Sequence, residues 1–390
     1  MYLEQSEEQR MLHESLDKAM KKILTPEYLR RIDKDGVYPY EAYDAWVELG
    51  LTGCGIPMSY GGLGGDIEDL VLISEALAAW SYDVSTALTV PLFTGMTLLR
   101  CGREEQKLAL LPQLASGKIR MSVCISEPDA GSDVSAIKTK AVKDGDTWIL
   151  NGQKIWVTAA GARDTVLQIY AKTDPSVSAK NGLSVFLIPN TTPGIECRKL
   201  EMLGRRAAGS YEIFMQDVRV HESAVLGQVN CGWEYLLSGL QVERAITSAG
   251  YVGAAQKVVD LAAEYAKTRK QFGQPVGEFQ AIAHMLADMQ TDVDAARLLA
   301  YRAARHLSRG QSALREVSMA KLFGSETYIK IANQGMQILG AYGYSLETEM
   351  QRHFRDARST TIGAGSSQMQ RNAIASLMGL ASRPARRADS

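Results

Sequence analysis

A single acidic residue in "GLQVERAITSAG", residues 239–250, invites a chemical reading. At helical pitch Leu236, Leu240, Glu243, Thr247 and Gly250 share one face, so the Glu243 carboxylate sits on a largely apolar stripe. No Lys or Arg lies three or four residues away to pair with it along the helix. Partial burial there raises a carboxyl pKa toward neutrality, the condition a general base needs. The same stripe also suits a glutamate that merely binds an arginine, either one from another segment or the adjacent Arg244. A second stretch, "TTIGAGSSQMQR" at residues 360–371, has the look of a working loop. It carries two glycines, four hydroxyls and two glutamines, but nothing that takes a proton at neutral pH. The residue before Gly365 is Ala364, so this position can offer a backbone N–H and no base.

The rest of the composition narrows the field. The chain has 390 residues and a net charge of -1, which suits two or three packed domains and points to neither nucleic acid nor a membrane surface as partner. Its five cysteines, Cys54, Cys101, Cys124, Cys197 and Cys231, are scattered and never form CxxC. That pattern fits reduced thiols in a cytoplasmic protein rather than a disulfide framework or a zinc site. There is no HExxH, and no metal site is expected; GxSxG and Walker sequences are absent too. The glycines of "GLTGCGIPMSYGGLGG" do not follow a strand into a helix, so any nucleotide cofactor must be held without a Rossmann unit. The charged, amphipathic start lacks a signal core, and no apolar run reads as long enough to cross a bilayer.

The elements that must position Glu243 and the loop follow from periodicity. Residues 1–119 read as an N-terminal helical domain, with apolar residues every three to four positions. In residues 120–232 the period shortens to that of strands, and "DTWILNGQKIWVT" suggests a hairpin turning at Asn151-Gly152. This middle part is expected to be an antiparallel β-sandwich or barrel. Residues 233–382 return to long amphipathic helices compatible with a bundle, and 383–390 read as a frayed tail. The whole is an α+β architecture.

Four motifs in register carry a resemblance. "CISEPDAGSDVSAIKTKA" (124–141), "WILNGQKIWVT" (148–158), "RKQFGQPVGEFQAIAHMLADM" (269–289) and the segment from Gln337 through "RDARSTTIGAGSSQMQR" resemble the acyl-CoA dehydrogenase family. The resemblance implies bound FAD, a homotetramer with FAD at subunit interfaces, acyl-CoA substrates and electron transfer to an electron-transfer flavoprotein. It assigns Ser126, Trp156 and Thr158 to the flavin ring, Ser132 to the pyrophosphate, and Arg269 to the diphosphate of a neighbouring subunit. An ever-charged, forked guanidinium suits that last task. It places Phe272 and Gln280 at the adenine end, and Gln337, Gly340, Ser366 and Gln368 at further cofactor contacts. Arg206 and Ser210 match a segment lining the thioester entrance, and Arg244 and Gly363 fall on the substrate side.

Most members of the family carry a glutamate where this chain has Ala364. The resemblance is therefore to subgroups with the base on the helix, as in isovaleryl-CoA dehydrogenase-like or crotonobetainyl-CoA reductase-like members, and it points to Glu243 as that base. The Ala364 N–H remains available to the enolate oxygen. Three other readings stay open: the same site run as an enoyl-CoA reductase, a flavin oxygenase or nitroalkane-oxidase-like relative, and a catalytically inactive member.

Overall fold

The computed structural model describes residues 7–380; the expected tail at 383–390 lies outside them. Six helices come first: α1 (Glu7–Ile23), α2 (Pro26–Asp35), α3 (Tyr40–Glu48), α4 (Ile67–Ala78), α5 (Tyr82–Cys101) and α6 (Glu104–Ala115). Their boundaries have local causes. Thr25 caps α2 by accepting from Tyr28 N at 3.2 Å, Pro26 supplies a preset φ, and Gly36 ends the helix at φ +62°. A reciprocal Asp66–Asp69 capping box starts α4. Met20, Tyr43 and Trp46 have no exposed surface, and they join α4 and the start of the long C-terminal helix in one core.

Helix α5 differs from the sequence expectation. It is long and apolar enough, by length and composition, to cross a membrane, yet 78% of its apolar window is buried inside the protein. Its hydrophobic faces are satisfied by neighbouring helices and strand β1.

The middle part is a curled seven-stranded sheet: β1 (Arg120–Cys124), β2 (Lys140–Asp144), β3 (Thr147–Thr158), β4 (Thr165–Lys172), β5 (Leu183–Pro189), β6 (Ile195–Leu200) and β7 (Ser210–His221), with a four-residue helix α7 (Ala179–Gly182) before β5. The sheet is mixed rather than wholly antiparallel, because β1 runs parallel to β4. Asn151-Gly152 is not a turn either: β3 continues through it, with a β-bulge in its pairing with β7 between Leu150 and Gly152. The Asn151 amide exchanges hydrogen bonds with Asp217 on β7, donating to Oδ1 at 3.0 Å and accepting from the backbone N at 2.9 Å. Gly152 lets the strand press against Thr139, where a Cβ would come within 2.5 Å of Oγ1. The real turn lies one hairpin earlier, at Gly145-Asp146 between β2 and β3.

The C-terminal part contains α8 (Gly232–Thr268), α9 (Gln280–Ser308), α10 (Leu314–Leu339), the short α11 (Ala341–Tyr344), α12 (Met350–Thr360) and α13 (Ser367–Leu377). Helix α8 runs 37 residues and packs on α4, α5, α9 and α10. Small residues make this possible. At Gly253 a Cβ would sit 2.0 Å from Glu75 O, so the backbones of α4 and α8 touch. Ser74 Oγ donates to Ile246 O at 2.8 Å and locks the crossing. Glu243 is thereby held in the seam between the N-terminal helices, the sheet and the bundle.

Candidate active site

Glu243 is half-buried on α8, and its carboxylate accepts no hydrogen bond among the described residues. Burial pushes its pKa up, and Arg244, Lys321 and Arg205 pull in the other direction. The same carboxylate acts on Tyr82 of α5 and Tyr170 of β4, both buried. An acid in such a setting gives up its proton late and is a competent acceptor once it has done so.

The turn between α12 and α13 is bolted to this helix. Ala364 has φ +54° and Gly365 +85°, two successive left-handed residues. Their carbonyls are gripped by side chains from three helices. Arg244 Nε donates to Ala364 O at 3.1 Å, Lys321 Nζ to Gly365 O at 2.7 Å, and Gln370 Nε2 to Gly365 O at 2.9 Å and Ala364 O at 3.3 Å. Glycine is required at 365, since a Cβ would lie 2.8 Å from Gln370 Nε2 in an already left-handed backbone. With the carbonyls held, the Ala364 N–H has no partner among the described residues. Gly363 is exposed beside it, and Ser366 caps α13, its Oγ accepting from Met369 N at 3.4 Å.

Lys321 was not anticipated from sequence. It has no exposed surface, and burial followed by the Arg244 charge lowers its pKa to about 8. A lone lysine among Val317, Ser318, Ala320 and Ser325, all buried on α10, was the signal available.

The sheet contributes a platform. Trp156, at φ +64° near the end of β3, leaves 57% of its surface exposed, which is unusual for a strand tryptophan. Thr158 lies two residues on and pairs with Ser210 of β7 in register. The loop after β1 that holds Ser126 and Ser132 is fixed by another feature the sequence reading missed. Buried Glu127 accepts from Lys138 N at 2.5 Å, Thr139 N at 2.9 Å and the fully buried Lys154 Nζ at 2.8 Å. Ile155 N donates to Ser126 O at 3.0 Å, so the loop is latched onto β3. Ser132 itself is exposed.

Arg206 is not in this group. Its Nη2 donates to Lys34 O at 3.1 Å, directing the side chain onto α2. The preceding Arg205 is the one that reaches the platform, with Nη2 3.3 Å from Thr158 Oγ1. Arg205 has a left-handed backbone, φ +55°, at the entry to the turn over 206–208.

A third group lies at one end of the bundle. Phe272 is 94% exposed in the turn after α8 and stacks edge-on to Phe279, with centroids 6.2 Å apart. Arg269 stands 5.7 Å from the Tyr342 ring, near exposed Gln337 and Gly340 at the end of α10, and exposed Gln280 opens α9. Gln368 is exposed on the first turn of α13. No hydrogen bond or ring contact joins Arg269, Phe272, Gln280, Gln337 or Gly340 to the Glu243 cluster among the described residues. A pocket of about 380 Å³ elsewhere, lined by Arg30, Tyr265, Leu346 and Arg352 among others, also lies apart from that cluster.

Comparison with known proteins identifies this assembly. Residues 6–118, 122–218 and 230–379 match the acyl-CoA dehydrogenase N-terminal, middle and C-terminal domains. The chain is 38% identical to the caffeyl-CoA reductase-Etf complex subunit CarC of Acetobacterium woodii over 375 residues, covering 96% of this chain and 98% of that one. It is also 38% identical to a glutaryl-CoA dehydrogenase of Desulfococcus multivorans over 377 residues, with 95% and 96% covered. The structure of butyryl-CoA dehydrogenase from Megasphaera elsdenii superposes with a TM-score of 0.93 at 31% identity, covering 97% of this chain and 100% of that one. The chain belongs to the acyl-CoA dehydrogenase family of FAD-dependent oxidoreductases.

Proposed function

We propose that this enzyme acts on the bond between the α- and β-carbons of an acyl-CoA thioester, with Glu243 taking the α-proton. The observation that carries the reading is the conjunction on α8. Among the described residues Glu243 presents a carboxylate without hydrogen bonds, and its neighbour Arg244 fastens a turn whose Ala364 N–H has no partner. That N–H is a preorganised donor for the thioester oxygen as negative charge develops on it, and one such donor is worth about 3–4 kcal/mol. Lys321, Arg244 and Gln370 hold the donor still, so no reorganisation is needed at the moment of proton removal.

The residues present fit FAD. Trp156 offers a flat, exposed ring, Ser126 and Thr158 offer hydroxyls beside it, and Ser132 lies on the latched loop for the pyrophosphate. Nothing lies within 4 Å of the position a Cβ would take at Gly131 or Gly340, leaving room for close approach of a bulky group. When bound, FAD supplies the acceptor for the hydride leaving the β-carbon. Arg269, Phe272, Gln280, Gln337, Gly340, Ser366 and Gln368 complete that site across an interface between copies of the chain. Exposed Phe272, Tyr342, Tyr344 and Leu346 at the bundle suit burial between copies, which a homotetramer would provide.

A second reading has a specific basis. The chain's likeness to a subunit of a reductase-Etf complex favours the reverse direction, saturation of an enoyl-CoA. By microscopic reversibility protonated Glu243 then returns the proton to the α-carbon, and an electron-transfer flavoprotein is the partner in either direction. Five free cysteines suit a reducing cytoplasm. The test is anaerobic mixing of the FAD-loaded protein with straight and branched acyl-CoAs while following flavin absorbance. Bleaching by a saturated thioester is the expected result. No response to any saturated thioester, and no reoxidation of the reduced protein by any enoyl-CoA, would remove the proposal.

A further inference from the structure

Thr158 closes β3 with its main chain fixed and its side chain committed on one side. Ser122 Oγ donates to the Thr158 carbonyl at 2.9 Å, and Ala159 N donates to Gly209 O at 3.0 Å, which ties this end of the strand to the segment at 204–209. One hydrogen bond falls on the hydroxyl, from Arg205 Nη2 to Oγ1 at 3.3 Å. A guanidinium has donors only, so the Thr158 oxygen accepts and its own proton is left for another partner. That proton meets no acceptor among the described residues. Thr158 is therefore a one-way donor toward whatever lies on the platform.

The arginine that imposes this direction is held through its backbone. Asp356 Oδ1 on α12 accepts from Arg205 N at 2.6 Å, while Asp83 at the start of α5 accepts from Ala207 N at 2.7 Å and Ala208 N at 3.2 Å. Gly204 packs so tightly that a Cβ would lie 2.6 Å from Arg355 O and 2.7 Å from Asp356 Oδ1. The guanidinium itself forms no ion pair with a carboxylate among the described residues, and its Nε is buried without a partner. Both aspartates are engaged by amides. Burial raises their pKa values, that of Asp356 to about 7, so they offset the guanidinium only in part. A positive charge thus stands half-buried behind Thr158, its Cζ 5.5 Å from the Tyr82 ring, where screening by water is weak.

Resting on the reading above that FAD lies beside Thr158, we propose that Arg205 is a positioning residue that sets the cofactor's redox poise. It turns the Thr158 hydroxyl into a donor to the flavin ring and places a positive charge behind it, so the protein holds reduced FAD more tightly than oxidised FAD. Uptake of a hydride brings two electrons and one proton and leaves the ring with one extra negative charge. The donated hydrogen bond and the guanidinium both stabilise that charge, which raises the potential. The resulting bias is toward accepting the hydride, the direction of thioester oxidation.

The test is the two-electron midpoint potential of the FAD-loaded protein, measured by anaerobic dye-equilibrated reduction with no thioester present. Arg205→Gln is expected to cut the preference for reduced FAD on the order of tenfold, a fall of about 30 mV for a two-electron couple. Arg205→Lys keeps the charge and should recover about half of that fall or more. In a Thr158→Val background the shift caused by Arg205→Gln should shrink to about half or less, because the hydroxyl it acts through is gone. An unchanged or raised potential in Arg205→Gln, no recovery with Arg205→Lys, or a full-sized shift in the Thr158→Val background each overturns the proposal. The unmutated protein gives a check that no folding defect can spoil: its potential is expected above that of free FAD, and a value at or below it overturns the proposal. Thr158→Val alone separates this inference from the placement beneath it. A potential and flavin spectrum unmoved by Thr158→Val put the ring elsewhere, and the proposal falls with that placement. A Thr158→Val shift without an Arg205→Gln shift keeps the placement and sinks only the role of Arg205. The expected shifts in a protein whose flavin no thioester bleaches would sink the Glu243 mechanism and leave this inference in place.

Discussion

Replacing Glu243 with Gln is the sharpest perturbation of the proposed chemistry. The side chain keeps its length and loses its ability to accept a proton. Among the described residues nothing hydrogen-bonds the carboxylate; Arg244, Lys321 and Arg205 lose a nearby negative charge, while the removal of a desolvated carboxylate offsets the burial of an amide. Thermal stability is therefore expected to shift by no more than about 1 kcal/mol. The rate is another matter. Loss of a general base costs about 10²- to 10⁴-fold, equivalent to about 2.7–5.5 kcal/mol of barrier. The assay is anaerobic stopped-flow bleaching of the flavin, with exchange of the thioester α-proton into deuterated solvent as a second readout, since exchange needs the base and no electron acceptor. The pH dependence supplies a sign. Burial raises the Glu243 pKa, so oxidation should accelerate as pH climbs through a value above the ordinary carboxylate range, and that acid limb should vanish in the variant. Bleaching within tenfold of the wild-type rate, or α-proton exchange that survives, would refute the reasoning.

Three further outcomes concern the buried lysines and their partners. Lys321→Met removes one of the donors holding the Gly365 carbonyl and should lower kcat about 10- to 100-fold through a displaced Ala364 N–H, while the melting temperature at neutral pH holds or rises because a buried charge is gone. In the unmutated enzyme the Lys321 pKa of about 8 predicts a loss of kcat on the alkaline side of that value, and this limb should be missing from Lys321→Met in the pH–rate profile. Glu127→Gln breaks the buried pair with Lys154, costing about 3–5 kcal/mol, and should lower both the melting temperature and FAD retention after gel filtration.

The parts of this molecule that could be read in advance were those governed by local repetition. The apolar spacing of α9 is visible because that helix buries one face, while α4 and α8 show as runs of apolar or small residues that are buried all round, 70–74 and 248–255 without a break. Asn151-Gly152 defeated the same approach, because the strand continues there beside a β-bulge where Asn151 exchanges hydrogen bonds with Asp217, 66 residues away. The choice between Arg205 and Arg206 was equally hidden. The pair lies at a turn with a left-handed residue, so no strand alternation tells which side chain faces the platform. Lys321 and Gln370 went unnoticed since their partners are main-chain carbonyls of a distant turn, and carbonyls leave no mark in a residue pattern.

In the proposed mechanism, a proton acceptor on α8 and an amide donor on the turn before α13 put two duties under separate genetic control. A glutamate at 364 would tie them together, because any shift of that backbone would move acid and amide as one. Here a substitution near 363 can reshape the space around the reacting carbons while the acceptor stays anchored in a 37-residue rod. Such a chain can drift toward new thioesters in small steps, each of which leaves half of the apparatus untouched.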